Sequence, residues 1–191
     1  GKLQPYAGAF AAFPDMKRQA PHIKYVKPGT NKDMKDLEAV FKTIPITDGM
    51  TISFHHHFRN GDGLLLQVIK TADKLGIKNL TIAASAIFPI HEELIEYVKK
   101  GVVTSLDTNY ASGPVAKAIS EGLFKKPVMF RTHGGRPRAI ECGQLHIDVA
   151  FVASPTADTY GNISGREGET ACGSLGYAYP DAEYADYVIA V

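Results

Sequence analysis

Asp48-Gly-Met-Thr-Ile-Ser-Phe-His-His-His-Phe-Arg-Asn-Gly-Asp62 joins a β-rich run, Met50 to Phe54, to three histidines, an arginine, a glycine and an aspartate. A helical pattern, Leu64-Leu-Leu-Gln-Val-Ile-Lys-Thr-Ala-Asp-Lys-Leu75, begins directly afterwards. A strand that ends in polar groups facing a helix N-terminus is the site-forming edge of an α/β sheet. Backbone N–H groups converge there, and the helix dipole favours an anion.

The same alternation runs along the chain on either side of this stretch. Thr30–Lys42 reads as a helix with Met34, Leu37, Val40 and Phe41 on one face and Asn31 or Asp33 as its cap. Strands are expected over 50–54, 79–84, 102–107, 127–132, 147–153 and near 186–191. Helices are expected over 62–75, 91–100, 111–123 and 137–142, with Gly101 closing the second and Pro114 in the first turn of the third. This order indicates an α/β fold with a doubly wound, mostly parallel sheet. Near-continuous apolar runs such as Val149-Ala-Phe-Val152 are what a strand covered on both faces requires. Residues 1–30, with Pro5, Pro14, Pro21 and Pro28, read as an extended arm, and residues 31–191 as one domain. The chain stops within Tyr187-Val-Ile-Ala-Val191, a β pattern, so a fragment of a longer polypeptide is expected.

A length of 191 residues suits one well-buried α/β domain, and 45% hydrophobic with 21% charged residues is ordinary for a soluble protein. A formal net charge of +1 gives no electrostatic reason to expect nucleic acid or an anionic membrane as partner. No apolar run approaches the roughly 20 residues of a membrane-spanning helix. Cys142 and Cys172 stand apart with no C-x-x-C pattern and read as reduced, mostly buried thiols of a cytoplasmic protein.

In an open parallel sheet the residues that follow the strands gather on one rim. Here they are His55 to Asp62, then Ser85, Asp107-Thr108-Asn109, Thr132-His133-Gly134-Gly135-Arg136, and Ser154 to Asn162. Hydroxyl, amide, imidazole and guanidinium groups outnumber carboxylates, which suits a phosphate or carboxylate ligand. Adjacent histidines in an extended segment alternate faces, so His55 and His57 converge while His56 points away. Zinc is the sharp reading of such a triplet. No partner motif with metal-ligand spacing accompanies it, so no metal is expected. His133-Gly134-Gly135 reads either as a backbone N–H nest or as a tight turn with a helix cap. Asp158-Thr-Tyr-Gly161-Asn162 is a turn by composition, and Gly173-Ser174-Leu-Gly176 either approaches a ligand closely or is simply flexible. Neither a dinucleotide-binding fingerprint, a P-loop nor a serine-hydrolase elbow occurs.

Taken in order, Asp48–Asp62, Lys78–Ser85, Gly101–Thr104, His133–Arg136, Gly143–Phe151, Pro155–Asn162 and Cys172–Ala178 resemble the N-terminal half of the citrate lyase alpha-chain family, within the CoA-transferase superfamily. The resemblance runs from about residue 40 to the last residue. It implies one of two similar CoA-transferase-type halves, the C-terminal one being absent. The implied reaction exchanges acetate for citrate on a thioester, giving a citryl thioester, and the CoA-like prosthetic group belongs to an acyl-carrier partner. No cofactor bound tightly by this chain is implied. The implied partners are citrate, the beta (citryl lyase) and gamma (acyl-carrier) chains, and further copies of this chain.

On the same resemblance, His55, His56, His57, Arg59, Asn60 and Asp62 bind or act on the substrate. Gly61, His133, Gly134, Gly135, Asp158, Gly161, Asn162, Gly173, Ser174 and Gly176 serve the thioester and its cofactor arm. Three alternatives stand beside this reading. One is a citramalate-specific transferase subunit. Another is a sugar-phosphate isomerase, for which Asp107 and Asp158 are the candidate bases. The last is a non-catalytic docking half.

Overall fold

The computed structural model describes residues 27–55, 60–176 and 178–191. The expected arm over 1–30 lies almost wholly outside them.

Six parallel strands form the main sheet: β1 (Thr51–His55), β2 (Leu80–Ile87), β3 (Val103–Ala111), β4 (Met129–Phe130), β5 (Val149–Val152) and β8 (Tyr187–Ala190). Their order is β4-β3-β2-β1-β5-β8. The chain therefore steps outward from β1 to β4, then crosses back to lay β5 on the other side of β1. Ile52 to Phe54 register with Ile82 to Ala84 of β2 on one side, and His55 registers with Val152 of β5 on the other. The reversal between β1 and β5 is the topological switch point at which open α/β sheets bind ligands, and His55 is the last residue of β1.

Two cores lie on the two faces, as double winding demands. Ile52 and Phe54 of β1, Ile82 of β2, Leu106 of β3 and Phe151 of β5 pack with α1 (Leu37–Thr43), α2 (Leu64–Lys74), α3 (Leu94–Lys99) and α4 (Gly113–Ser120). In this core the Phe54 and Phe151 rings stack at 5.5 Å. Ala83, Ala150 and Val152 face the other way, onto α5 (Gly135–Glu141) and α6 (Ala178–Tyr184). Because successive strand residues alternate faces, Ser53 and His55 belong to this second face. The amphipathic α2 buries Leu65, Val68, Ile69 and Ala72, each large side chain contributing about 1.5–3 kcal/mol.

Several boundaries differ from the sequence expectation, each for a local reason. The first helix begins at Leu37 because Asp36, rather than Asn31 or Asp33, accepts the Ala39 N–H at 2.8 Å. Asn31 instead takes the Asp33 N–H in a turn, and Met34 is exposed. The helix expected over 91–100 is delayed to Leu94 behind a 3₁₀ turn, Pro89–His91. His91 is held there: its Nδ1 accepts the Phe88 N–H at 3.1 Å and its Nε2 lies 3.1 Å from the Asp62 carbonyl oxygen. That pairing makes it the Nε2–H tautomer.

β2 and β3 run longer than expected, so Ser85, Asp107, Thr108 and Asn109 lie within strands rather than after them. The polar groups of Asp107, Thr108 and Asn109 find partners within the fold. Asp107 takes Arg131, and Thr108 bonds the Tyr110 carbonyl. A hairpin, β6 (Thr156–Ala157) with β7 (Ile163–Ser164), and the helix α6 were not expected. Pro180 lies in the first turn of α6, where its missing N–H costs no helical bond. Cys142 is half-buried but Cys172 is exposed in the glycine-rich loop, which corrects the expectation that both thiols are mostly buried.

Candidate active site

A cavity of about 660 Å³ opens over the carboxyl ends of the central strands. His55 from β1 and Ser85 from β2 reach it from the sheet, with Asn109 and Tyr110 from β3 beside them. Arg131, Thr132 and His133, following β4, form one wall, and Ser174, Leu175 and Gly176 form the opposite one. Phe88 completes the rim, its ring 5.8 Å from that of Tyr110. Among the described residues no carboxylate lines the cavity. Two imidazoles, a guanidinium, an amide and four hydroxyls do.

Arg131 is the best-fixed cation of this wall. Its Nε lies 2.9 and 2.8 Å from the two carboxylate oxygens of Asp107, and Nη2 lies 2.8 Å from Oδ2. The pair is largely buried, which strengthens it over a surface ion pair. The Asn109 amide donates to the Arg131 and Thr132 carbonyls at 2.9 and 2.8 Å, so the segment after β4 is tied to β3. Sequence reading passed over Arg131 by counting it within the strand. A charged residue at the end of an apolar run, one place before the polar turn, was the available signal.

Of the site residues named from the sequence, His55, His133, Ser174 and Gly176 meet in this cavity. His56, His57 and Arg59 lie outside the described residues. Asn60 is exposed, and Gly61 and Asp62 shape the turn into α2. The Asp62 carboxylate accepts the Leu64 N–H at 2.8 Å. At Gly61, φ is +82° and an added Cβ would come within 2.8 Å of His91 Cε1, so no other residue fits without displacing that histidine. Asp62 also borders a second, mainly apolar cavity of about 350 Å³ with Ser154, Cys172 and Val191.

Gly134 and Gly135 do not line the larger cavity. The Gly135 N–H donates to the Thr132 carbonyl and hydroxyl, each at 3.0 Å, which is the turn-and-cap arrangement rather than an open nest. Arg136, expected on the rim, is instead wholly buried against Asp181 of α6. Gly173 closes a tight loop, its N–H donating to the Gly165 carbonyl at 2.9 Å.

Asp158, Gly161 and Asn162 lie in the β6–β7 turn, away from the cavity lining. The Asp158 carboxylate accepts the Tyr160 and Asn162 N–H groups at 2.9 Å and the Asn162 amide at 2.8 Å. The Asn162 side-chain bond, helped by these N–H donors, holds its pKa below the usual aspartate range. Neither candidate isomerase base is therefore poised over the cavity: Asp107 is locked to Arg131 and Asp158 to its own turn.

His146, Asp148 and Asp186 cluster at the other end of the sheet, just ahead of β5 and β8, with His146 Nε2 2.9 Å from Asp186 Oδ2. Asp148 also accepts the Thr51 N–H at 2.6 Å, which anchors the start of β1. No helix among the described residues is long and apolar enough to cross a membrane.

Residues 30–191 match the family model for citrate lyase, alpha subunit (CitF). The citrate lyase alpha chain of Haemophilus influenzae is 45% identical over 163 residues, covering 84% of this chain and 33% of that protein. That of Escherichia coli K12 is 41% identical over 179 residues, 94% of this chain and 35% of its own length. A crystal structure of a Streptococcus mutans citrate lyase alpha subunit in complex with citrate superposes with a TM-score of 0.87 at 46% identity, over 94% of this chain and 35% of that one. The chain thus spans about a third of the length of the relatives it matches.

Proposed function

The chain belongs to the citrate lyase alpha-subunit family, and from that membership we propose that it forms part of an acyl transferase exchanging acetate for citrate on a carrier-bound thioester. The observation that carries this reading is the cavity at the switch point: imidazole, guanidinium, amide and hydroxyl groups line it, and no carboxylate among the described residues does. Such a lining favours a polyanionic substrate and the oxyanions that develop from it. A Streptococcus mutans relative was crystallised with citrate, in line with that preference.

In the proposed reaction a citrate carboxylate oxygen attacks the acetyl thioester carbon. The C–S bond breaks, the carrier thiolate leaves, and a mixed citryl–acetyl anhydride remains. The thiolate then attacks the citryl carbonyl. A new C–S bond forms as the C–O bond to the bridging oxygen breaks, and acetate departs. No net proton is taken up or released, so the protein's task is to position two anions and to stabilise charge at carbonyl oxygens.

Arg131 and His133 on one wall, His55 at the strand end and Ser174 opposite are the described groups assigned to that task. Arg59 and His56, which follow His55 in the sequence, are assigned to the substrate carboxylates. The CoA-like group enters on the acyl-carrier partner, and Gly176 lies on the wall assigned to its arm.

The test is an exchange assay on the full-length parent chain with acetyl-CoA as surrogate carrier, reading citryl-CoA and acetate by mass spectrometry. Citrate-dependent product is expected, citramalate replacing citrate poorly. Arg59→Ala should lower the exchange rate by about a hundredfold, the cost of an unmatched charge at the reacting centre, with an unchanged melting temperature. Full exchange by that variant would remove Arg59 from the site, and no exchange by the folded parent would remove the transferase reading.

A further inference from the structure

Beneath the cavity, on the second face of the sheet, Arg136 and Asp181 are both wholly buried and joined by two parallel bonds, Nη1 to Oδ1 at 2.6 Å and Nη2 to Oδ2 at 2.7 Å. The Ser53 hydroxyl donates to Asp181 Oδ2, and Arg136 Nη2 reaches the Ala83 carbonyl at 3.4 Å. Around them α5 and α6 contribute Ala139, Ile140, Ala178 and Tyr184. An apolar pair would fill such a core at lower desolvation cost, so the ion pair needs a reason other than stability.

Its place in the chain supplies one. Ser53 stands two residues before His55 on the same face of β1, and Ala83 two before Ser85 on β2. Arg136 follows His133 by three residues, and Asp181 follows Gly176 by five. Every segment that meets in the network therefore reaches a cavity-lining residue within two to five positions. None of the four residues lines the cavity itself.

We infer that Arg136, Asp181 and Ser53 are positioning residues, a directional clamp that sets the spacing of His55, His133 and the Ser174–Gly176 wall. The consequence for activity rests on the transferase reading above; the consequence for the walls does not. Paired and buried, the two charges cancel, so the clamp acts through geometry. A bidentate pair fixes both the distance and the rotation of α5 against α6, which apolar packing leaves free to slide.

The experiment compares the full-length parent with Arg136→Lys, with Ser53→Ala, and with the charge-free double variant Arg136→Met/Asp181→Leu. Melting temperature, citrate exchange kinetics and hydrogen–deuterium exchange over residues 131–136 and 172–176 are read on each. The double variant should melt within a few degrees of the parent. It should nonetheless lose about ten- to a hundredfold in kcat/KM, chiefly through KM, with faster deuterium uptake in both segments. Ser53→Ala, which removes one hydrogen bond and little volume, should shift both readouts in the same direction by less.

Parent-like kinetics and parent-like uptake in the double variant would overturn the clamp and leave a packing element. Should the double variant fail to fold, Arg136→Lys and Ser53→Ala decide on the same readouts. Should the parent show no citrate exchange, the functional reading falls, and deuterium uptake still decides for or against the clamp.

Discussion

Arg131 meets two demands with one guanidinium. Its Nε and Nη2 are committed to Asp107, and the side chain still borders the cavity with 16% of its surface exposed. The fork geometry lets one residue satisfy a buried carboxylate and remain a donor to a second anion, which a lysine ammonium does less well. Arg131→Lys should therefore keep the ion pair and the melting temperature while raising the KM for citrate by about tenfold, measured in the full-length chain. An unchanged KM would reduce Arg131 to a partner of Asp107. At the same scale, His133-Gly134-Gly135-Arg136 shows how far residue types alone can be read. His133 lines the cavity. Arg136 does not, because nothing in the local pattern announces an aspartate 45 residues later that draws its guanidinium into the core.

The elements carry a similar division. Strand cores were legible because they are continuous apolar runs, and α2 because Leu65, Val68, Ile69 and Ala72 recur at helical spacing. Strand ends were less so. β2 and β3 continue through polar residues whose partners, Arg131 and Tyr110, are set by tertiary packing or by backbone turns. The β6–β7 hairpin lay hidden because its strands are two residues each, too short for any period to show. Asp158 holds that hairpin turn through three donors. A carboxyl whose folded pKa lies below its unfolded one stabilises the fold above the unfolded value, and the gain is lost as pH falls through the folded value. Asp158→Ala should thus lower the melting temperature slightly at neutral pH. The difference from the parent should shrink as pH falls below the ordinary aspartate range, as thermal scans from pH 7 to pH 2 can check. A constant difference across that range would mean that the turn is held by its backbone alone.

For the whole molecule, the order β4-β3-β2-β1-β5-β8 is what makes a scattered set of polar residues into one site. Alternation of strands and helices was enough to expect a doubly wound sheet, but the position of the reversal could not be read from it. The reversal places the end of β1 at the crevice, so the His55 region, conspicuous in sequence, lies at the switch point. Residues from the β4–α5 turn and from the loop before α6 then complete the cavity. The glycine-rich loop divides accordingly: Gly173 serves its own turn, whereas Ser174 and Gly176 reach the cavity. The chain spans about a third of its relatives' length.

The proposed attack by a citrate carboxylate is read most directly from where its oxygen goes. A single turnover of the full-length chain with acetyl-CoA and citrate labelled with ¹⁸O in its carboxylates should release acetate carrying one ¹⁸O, the former bridging oxygen of the anhydride. The citryl-CoA formed should retain one ¹⁸O in its thioester carbonyl. Unlabelled acetate from that first turnover would mean that water or an enzyme carboxylate attacked the acetyl thioester, and would contradict direct exchange on citrate.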